Sequence, residues 1–144
     1  MTRHRTHRSD RGSITLELAI LTPALILLLA LVALAGRVQV AASAVEHATA
    51  AGARAASLAR TPKAAQAAAG DTIGRELEAS GLRCDPATVV VETSGMAAPL
   101  GDPSAVTVTA TCTVTMADLA VPGLPGARTL TAQATSPIDR YRTR

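Results

Sequence analysis

The chain has 144 residues, 48% of them hydrophobic but only 1% aromatic, with no Trp, no Phe and one Tyr, Tyr141. Alanine supplies much of the apolar count, and each buried methyl contributes little, so a large globular core is excluded. A charged content of 17% and a mean hydropathy of +0.26 exclude a disordered polyelectrolyte, and the missing rings exclude base stacking on single-stranded nucleic acid.

The net charge of +3 is a property of one end. Arg3, Arg5, Arg8 and Arg11 stand against Asp10 in residues 1–12, which therefore carry the whole excess. Residues 13–36 hold only Glu17, and residues 37–144 hold ten basic and nine acidic groups. The body of the chain is nearly neutral, so the basic balance points to a leader and not to a nucleic-acid partner.

From Leu18 to Gly36 run 19 uncharged residues, broken only by Thr22, Pro23 and Gly36. Ser13–Gly36 as a helix would extend roughly 36 Å, enough for a hydrocarbon core of about 30 Å. Helix is the required conformation, because lipid offers the backbone no partners. The arginines keep residues 1–12 cytoplasmic by the positive-inside rule and place residues 37–144 on the far side. Three fates fit this segment: a signal peptide cut at Ala33-Leu34-Ala35 before Gly36, a plain single-pass anchor, or a pilin-type anchor. No Cys sits nearby, so a lipoprotein site is excluded.

Glu17 separates the three. A carboxylate at the start of a membrane helix costs about 1–3 kcal/mol according to depth, so it has a partner or a purpose unless it sits at headgroup level. A basic leader, then Gly12, then Glu at the fifth position after that Gly, resembles the type IV prepilin motif. The resemblance implies cleavage between Gly12 and Ser13 by an aspartic prepilin peptidase. The new amine at Ser13 would then need a counter-ion, which Glu17 of a neighbouring helix supplies. More broadly, RGSITLELAILTPALILLLALVALAGRVQVAASAVEHATAAGARAASLAR is similar to the TadE-like family of pilus-assembly proteins, over about residues 8–142. That resemblance implies a minor pilin or pseudopilin of a tight-adherence (Flp, type IVb) pilus or a related secretion system. Its partners would be the membrane, other pilins, a Tad-type assembly platform and a prepilin peptidase. Leu18 follows Glu17 where major Flp pilins carry Tyr, which points to the minor type. Ser13 stands where type IV pilins carry Phe.

Residues 37–60 are Ala-rich and free of Pro, so one helix is expected from about Ser13 to Arg60, bent at Pro23. Ala44, Ala48, Gly52 and Ala56 recur every four residues. They make either a solvated stalk or a packing surface for pilin partners. Thr61 and Pro62 read as the N-cap and first position of a second helix, to about Ser80, with Ile73 and Leu77 on one face and Gly81 as terminator. Gly70 and Gly74 weaken that helix. Glu76 and Glu78 beside Arg75 read as a solvated face.

Residues 105–116 alternate, with Val106, Val108, Ala110, Cys112, Val114 and Met116 facing one way and five threonines the other. Residues 88–93 and 128–135 read as flanking strands, the latter with Leu130, Ala132 and Ala134 on one face. The linkers SGMAAPLGDPS and LAVPGLPG are turn-rich. An antiparallel sheet is expected, one face under the helices and the Thr face wet. The Thr ladder is either an adhesive or simply a solvated surface. Cys84 and Cys112, in a chain expected to be exported, point to a disulfide, with two free buried thiols or a reactive pair as alternatives. A loop of about 29 residues closed in this way gains roughly 3–4 kcal/mol in the chain-entropy model.

No catalytic residues, cofactor site or metal site emerge. His4, His7 and His47 are scattered, two Cys cannot build a structural zinc site, and no phosphate loop or dinucleotide fingerprint occurs. The short basic tail Arg140-Tyr141-Arg142-Thr143-Arg144 reads as a solvated terminus. The expected class is α+β: a basic leader (1–12), a transmembrane helix (13–36), a helical stalk with a second helix (37–81) and a small antiparallel β-sheet ectodomain (82–144). The expected role is structural rather than enzymatic, in the cell membrane with the N-terminus cytoplasmic. An exported soluble β-domain, or an envelope anchor unrelated to pili, is the alternative.

Overall fold

A computed structural model describes residues 11–85, 87–115, 126–139 and 141, with side chains from Leu18 onward. The leader through residue 10, the side chain of Glu17, Met116 and the tail residues Arg140, Arg142, Thr143 and Arg144 lie outside the described residues. The elements run α1 (Arg11–Leu58), α2 (Pro62–Ala79), β1 (Ala87–Glu92), a 3₁₀ turn (Ser94–Ala97), β2 (Ser104–Thr115) and β3 (Ala127–Ile138). This is the α+β class read from the sequence. The chain divides into two compact units, residues 1–36 and 37–144, and α1 supplies residues to both.

The first unit is the N-terminal part of α1. Its Pro23 lies inside the helix and leaves the Ala19 carbonyl without its usual donor. One residue earlier, the Thr22 hydroxyl donates to the Leu18 carbonyl at 2.6 Å, so the side chain's only O–H is satisfied by its own helix.

In the second unit, α1 turns amphipathic. Ala41, Val45, Ala48, Gly52 and Ala56 are buried, with Thr49, Ala53 and Ser57 beside them. This is the three-and-four spacing of a single helical stripe. Their partner includes α2, which buries Ala65, Ala69, Ile73 and Leu77 at every fourth position. A Cβ built on Gly52 would fall 2.7 Å from Cγ1 of Ile73 and 3.3 Å from the Ala69 carbonyl oxygen. The small-residue stripe is thus occupied within the chain. It is neither the solvated stalk nor the pilin-facing surface expected from sequence; Ala44 alone of the four is only half-buried.

The ends of α2 explain its independence from its two glycines. The Ala64 N–H donates to Thr61 Oγ1 at 3.2 Å, and Pro62 follows the cap where no N–H is needed. At the other end Gly81 has φ +74°, its N–H donates to the Glu78 carbonyl, and the Leu82 N–H donates to the Leu77 carbonyl at 3.0 Å. That pair of bonds is a Schellman stop, with half-buried Leu82 packed on the core as its apolar clasp.

The sheet has the order β1-β2-β3, antiparallel throughout. Burial along β2 alternates without exception from Val106 to Val114, so its valines, Ala110 and Cys112 face the helices. β3 runs three residues past the expected end and includes exposed Pro137, which an edge strand tolerates because one side of its backbone has no neighbour to bond. On the opposite face, Thr107, Thr111 and Thr113 pair through their hydroxyls with Thr135, Thr131 and Thr129 at 3.0–3.5 Å. Gln133 reaches Thr109. One buried polar contact ties sheet to helix: the Ser136 hydroxyl donates to Ser57 Oγ at 3.1 Å. Cys84 and Cys112 form a disulfide with their Cα atoms 5.0 Å apart.

The helix contact makes its glycines unequal. Gly52→Val is expected to destabilise residues 37–144 by about 2–3 kcal/mol through overpacking. Gly74→Ala, which has open space, should stabilise by about 0.5–1 kcal/mol. Thermal unfolding of both variants in detergent checks the opposite signs.

Candidate functional site: the N-terminal helix

The backbone places Gly12, Ser13 and Glu17 in the first turns of α1. Ser13 and Glu17 are four residues apart, one helical turn.

Beyond Glu17 the helix is apolar on every side. Every residue from Leu18 to Ala33 is exposed. Among them Leu18, Ile20, Leu21, Leu25, Ile26, Leu27, Leu28, Leu29, Leu31 and Val32 each show 56–70% of their surface. At 100° per residue these side chains point in every direction around the axis, so no single protein groove covers them. Removing ten such side chains from water is worth on the order of 15–30 kcal/mol, well beyond what a soluble monomer leaves uncovered. The helix is the one described element long and apolar enough to cross a membrane, and it is consistent with single-pass anchoring.

The residues singled out elsewhere in the sequence fall into two groups. Cys84 and Cys112 are brought together. His47, one of the scattered histidines, and Glu76, read from sequence as part of a solvated face, line one groove between α1 and α2 with Val40, Ser43, Ala44, Ala48 and Ser80. Among the described residues, no three of His, Cys, Asp and Glu are grouped to hold a metal. The contact that sequence reading missed is Gly52 against Ile73; its signal was the match between the four-residue stripes on the two helices.

The apolar character gives a direct test. Replacing both Leu27 and Leu31 by Arg adds roughly 6–8 kcal/mol to the insertion free energy. The double variant should leave the alkali-resistant membrane fraction, whereas Leu27→Ile with Leu31→Ile should remain in it.

The TadE-like protein family model matches residues 12–54. The match begins at Gly12, takes in Glu17 and the whole apolar run, and ends just past Gly52; it does not reach α2 or the sheet. No curated protein and no solved structure matches the chain. Over its apolar helix and most of its packed stripe, the chain is similar to the TadE-like proteins, as its sequence pattern implied.

Proposed function

We propose that this chain is a membrane-anchored, non-catalytic component of pilus assembly, a minor pilin or pseudopilin of the tight-adherence type. The observation that carries the reading is the division of labour along α1. Residues 18–33 are bare apolar helix, while residues 41–57 of the same helix pack into a small α+β domain. The TadE-like match covers these two stretches almost entirely. In this reading the helix is held in the membrane until partner subunits and an assembly platform withdraw or pack it. The leader remains cytoplasmic, and residues 37–144 lie outside. Glu17 sets the register between subunits by answering a Ser13 amine. With the two groups one turn apart, the carboxylate of the same helix competes with that of a neighbour for this task.

A second reading has one observation in its favour. The boundary between the two compact units falls at Gly36, beside the small-residue site Ala33-Leu34-Ala35 where a signal peptidase would cut. Release there would give a soluble domain that leaves Glu17 behind.

Mass spectrometry of the mature N-terminus decides between them. A chain beginning at Ser13 supports the pilin route, a chain beginning at Gly36 overturns it, and Met1 retains the anchor but removes the peptidase. In the anchored protein, Glu17→Ala should keep membrane insertion and lose most cross-linking to partner pilins. Undiminished cross-linking would remove Glu17 from the mechanism.

A further inference from the structure

We propose that residues 37–144 fold conditionally on the Cys84–Cys112 bond, so that the domain stays open while reduced and closes on oxidation. Three observations carry this. The described core holds 18 buried hydrophobic residues, of which eight are Ala and none is aromatic. Each alanine removes a single methyl from water, too little to offset the ordering of its residue with any margin. Secondly, α2 buries only two side chains larger than Ala, Ile73 and Leu77. Thirdly, the bond joins the exit of α2 to the middle of the sheet: Cys112 lies in register with Ala87 on one side and Leu130 on the other. It is therefore α2, and the α1 stripe under it, that the bond holds down. The β2–β3 ladder, with twelve paired positions, depends on it less.

The chemistry needs an oxidant of the protein-disulfide or glutathione-disulfide class. A thiolate of one cysteine attacks the oxidant's disulfide and forms a mixed disulfide. The second cysteine's thiolate then displaces the oxidant's remaining sulfur. Two thiols of this chain become one disulfide, while the oxidant's disulfide becomes two thiols. Such oxidants act outside the cytoplasm, so the inference rests on the extracytoplasmic placement of residues 37–144 in the proposed function. A reduced chain would then remain loose until it has crossed the membrane.

The test uses the full chain in detergent, with hydrogen exchange and limited trypsin digestion before and after complete reduction by a phosphine. Loop closure over this span predicts roughly 100- to 1,000-fold more frequent opening on reduction. That opening should appear in the amides of residues 62–79 and in cleavage at Lys63 and Arg75, with the β2–β3 amides changing less. Glutathione disulfide should restore protection. Cys84→Ser, and Cys84→Ala combined with Cys112→Val, should behave as the reduced protein does. Equal protection of α2 in the oxidised and fully reduced chain would overturn the proposal. Alkylation of intact cells tests the placement separately: thiols found free in cells defeat the extracytoplasmic reading, whatever the exchange measurement shows.

Discussion

A core without aromatic rings forces its elements together. Dispersion and burial per residue are small when the side chain is a methyl, so α1 and α2 gain energy only by bringing backbone near backbone. Gly52 beneath Ile73 is a point of that approach with no room for a Cβ. The four-residue repeat of small side chains on α1 and the Ala65-Ala69-Ile73-Leu77 row on α2 follow from it. The sheet adds a regular inner face on β2, of Val106, Val108, Ala110, Cys112 and Val114. Polar groups inside this layer are few and satisfied: Thr49 donates to the Val45 carbonyl at 2.6 Å, and Ser57 and Ser136 meet each other.

The same helix carries two patterns of side chains. Its first unit presents leucines in all directions, and its second unit presents a single stripe. The composition changes accordingly, from Leu-rich to Ala-rich at about Gly36. In lipid, where hydrophobicity does not distinguish a neighbouring helix from an acyl chain, large side chains all round are favourable. Against protein, only one face needs to be apolar, and small residues set the distance. Glu17 marks the opposite end of the apolar run, where the N-terminal arginines give way to leucine.

Most of the architecture was legible because local signals agreed. Thr61-Pro62 and Gly81 bounded α2 to within a residue, and period-two alternation gave β2 its inner and outer faces. The length of α1 followed from the absence of Pro after Pro23. What was not legible is long-range. The Ala44-Ala48-Gly52-Ala56 pattern promised close approach to a helix, but periodicity does not say whose helix. It took the fold to show that α2 of the same chain lies there. The extension of β3 to Ile138 was hidden by Pro137, which reads as a strand breaker unless the strand is known to lie at an edge. For the candidate site, the pattern of Gly12, Ser13 and Glu17 was visible in sequence, whereas the processing and pairing proposed for it would involve other proteins, which one chain does not contain.

The left-handed turn at Gly81 has an effect beyond ending a helix. By folding the chain back so that Leu82 lies over Leu77, it redirects the strand-bound segment and delivers a sulfur, two residues later, to the inner side of the sheet. A side chain at that position would strain the reversal and alter the path of everything downstream. Covalent closure of the molecule therefore depends in part on a residue that has no sulfur, no charge and no side chain.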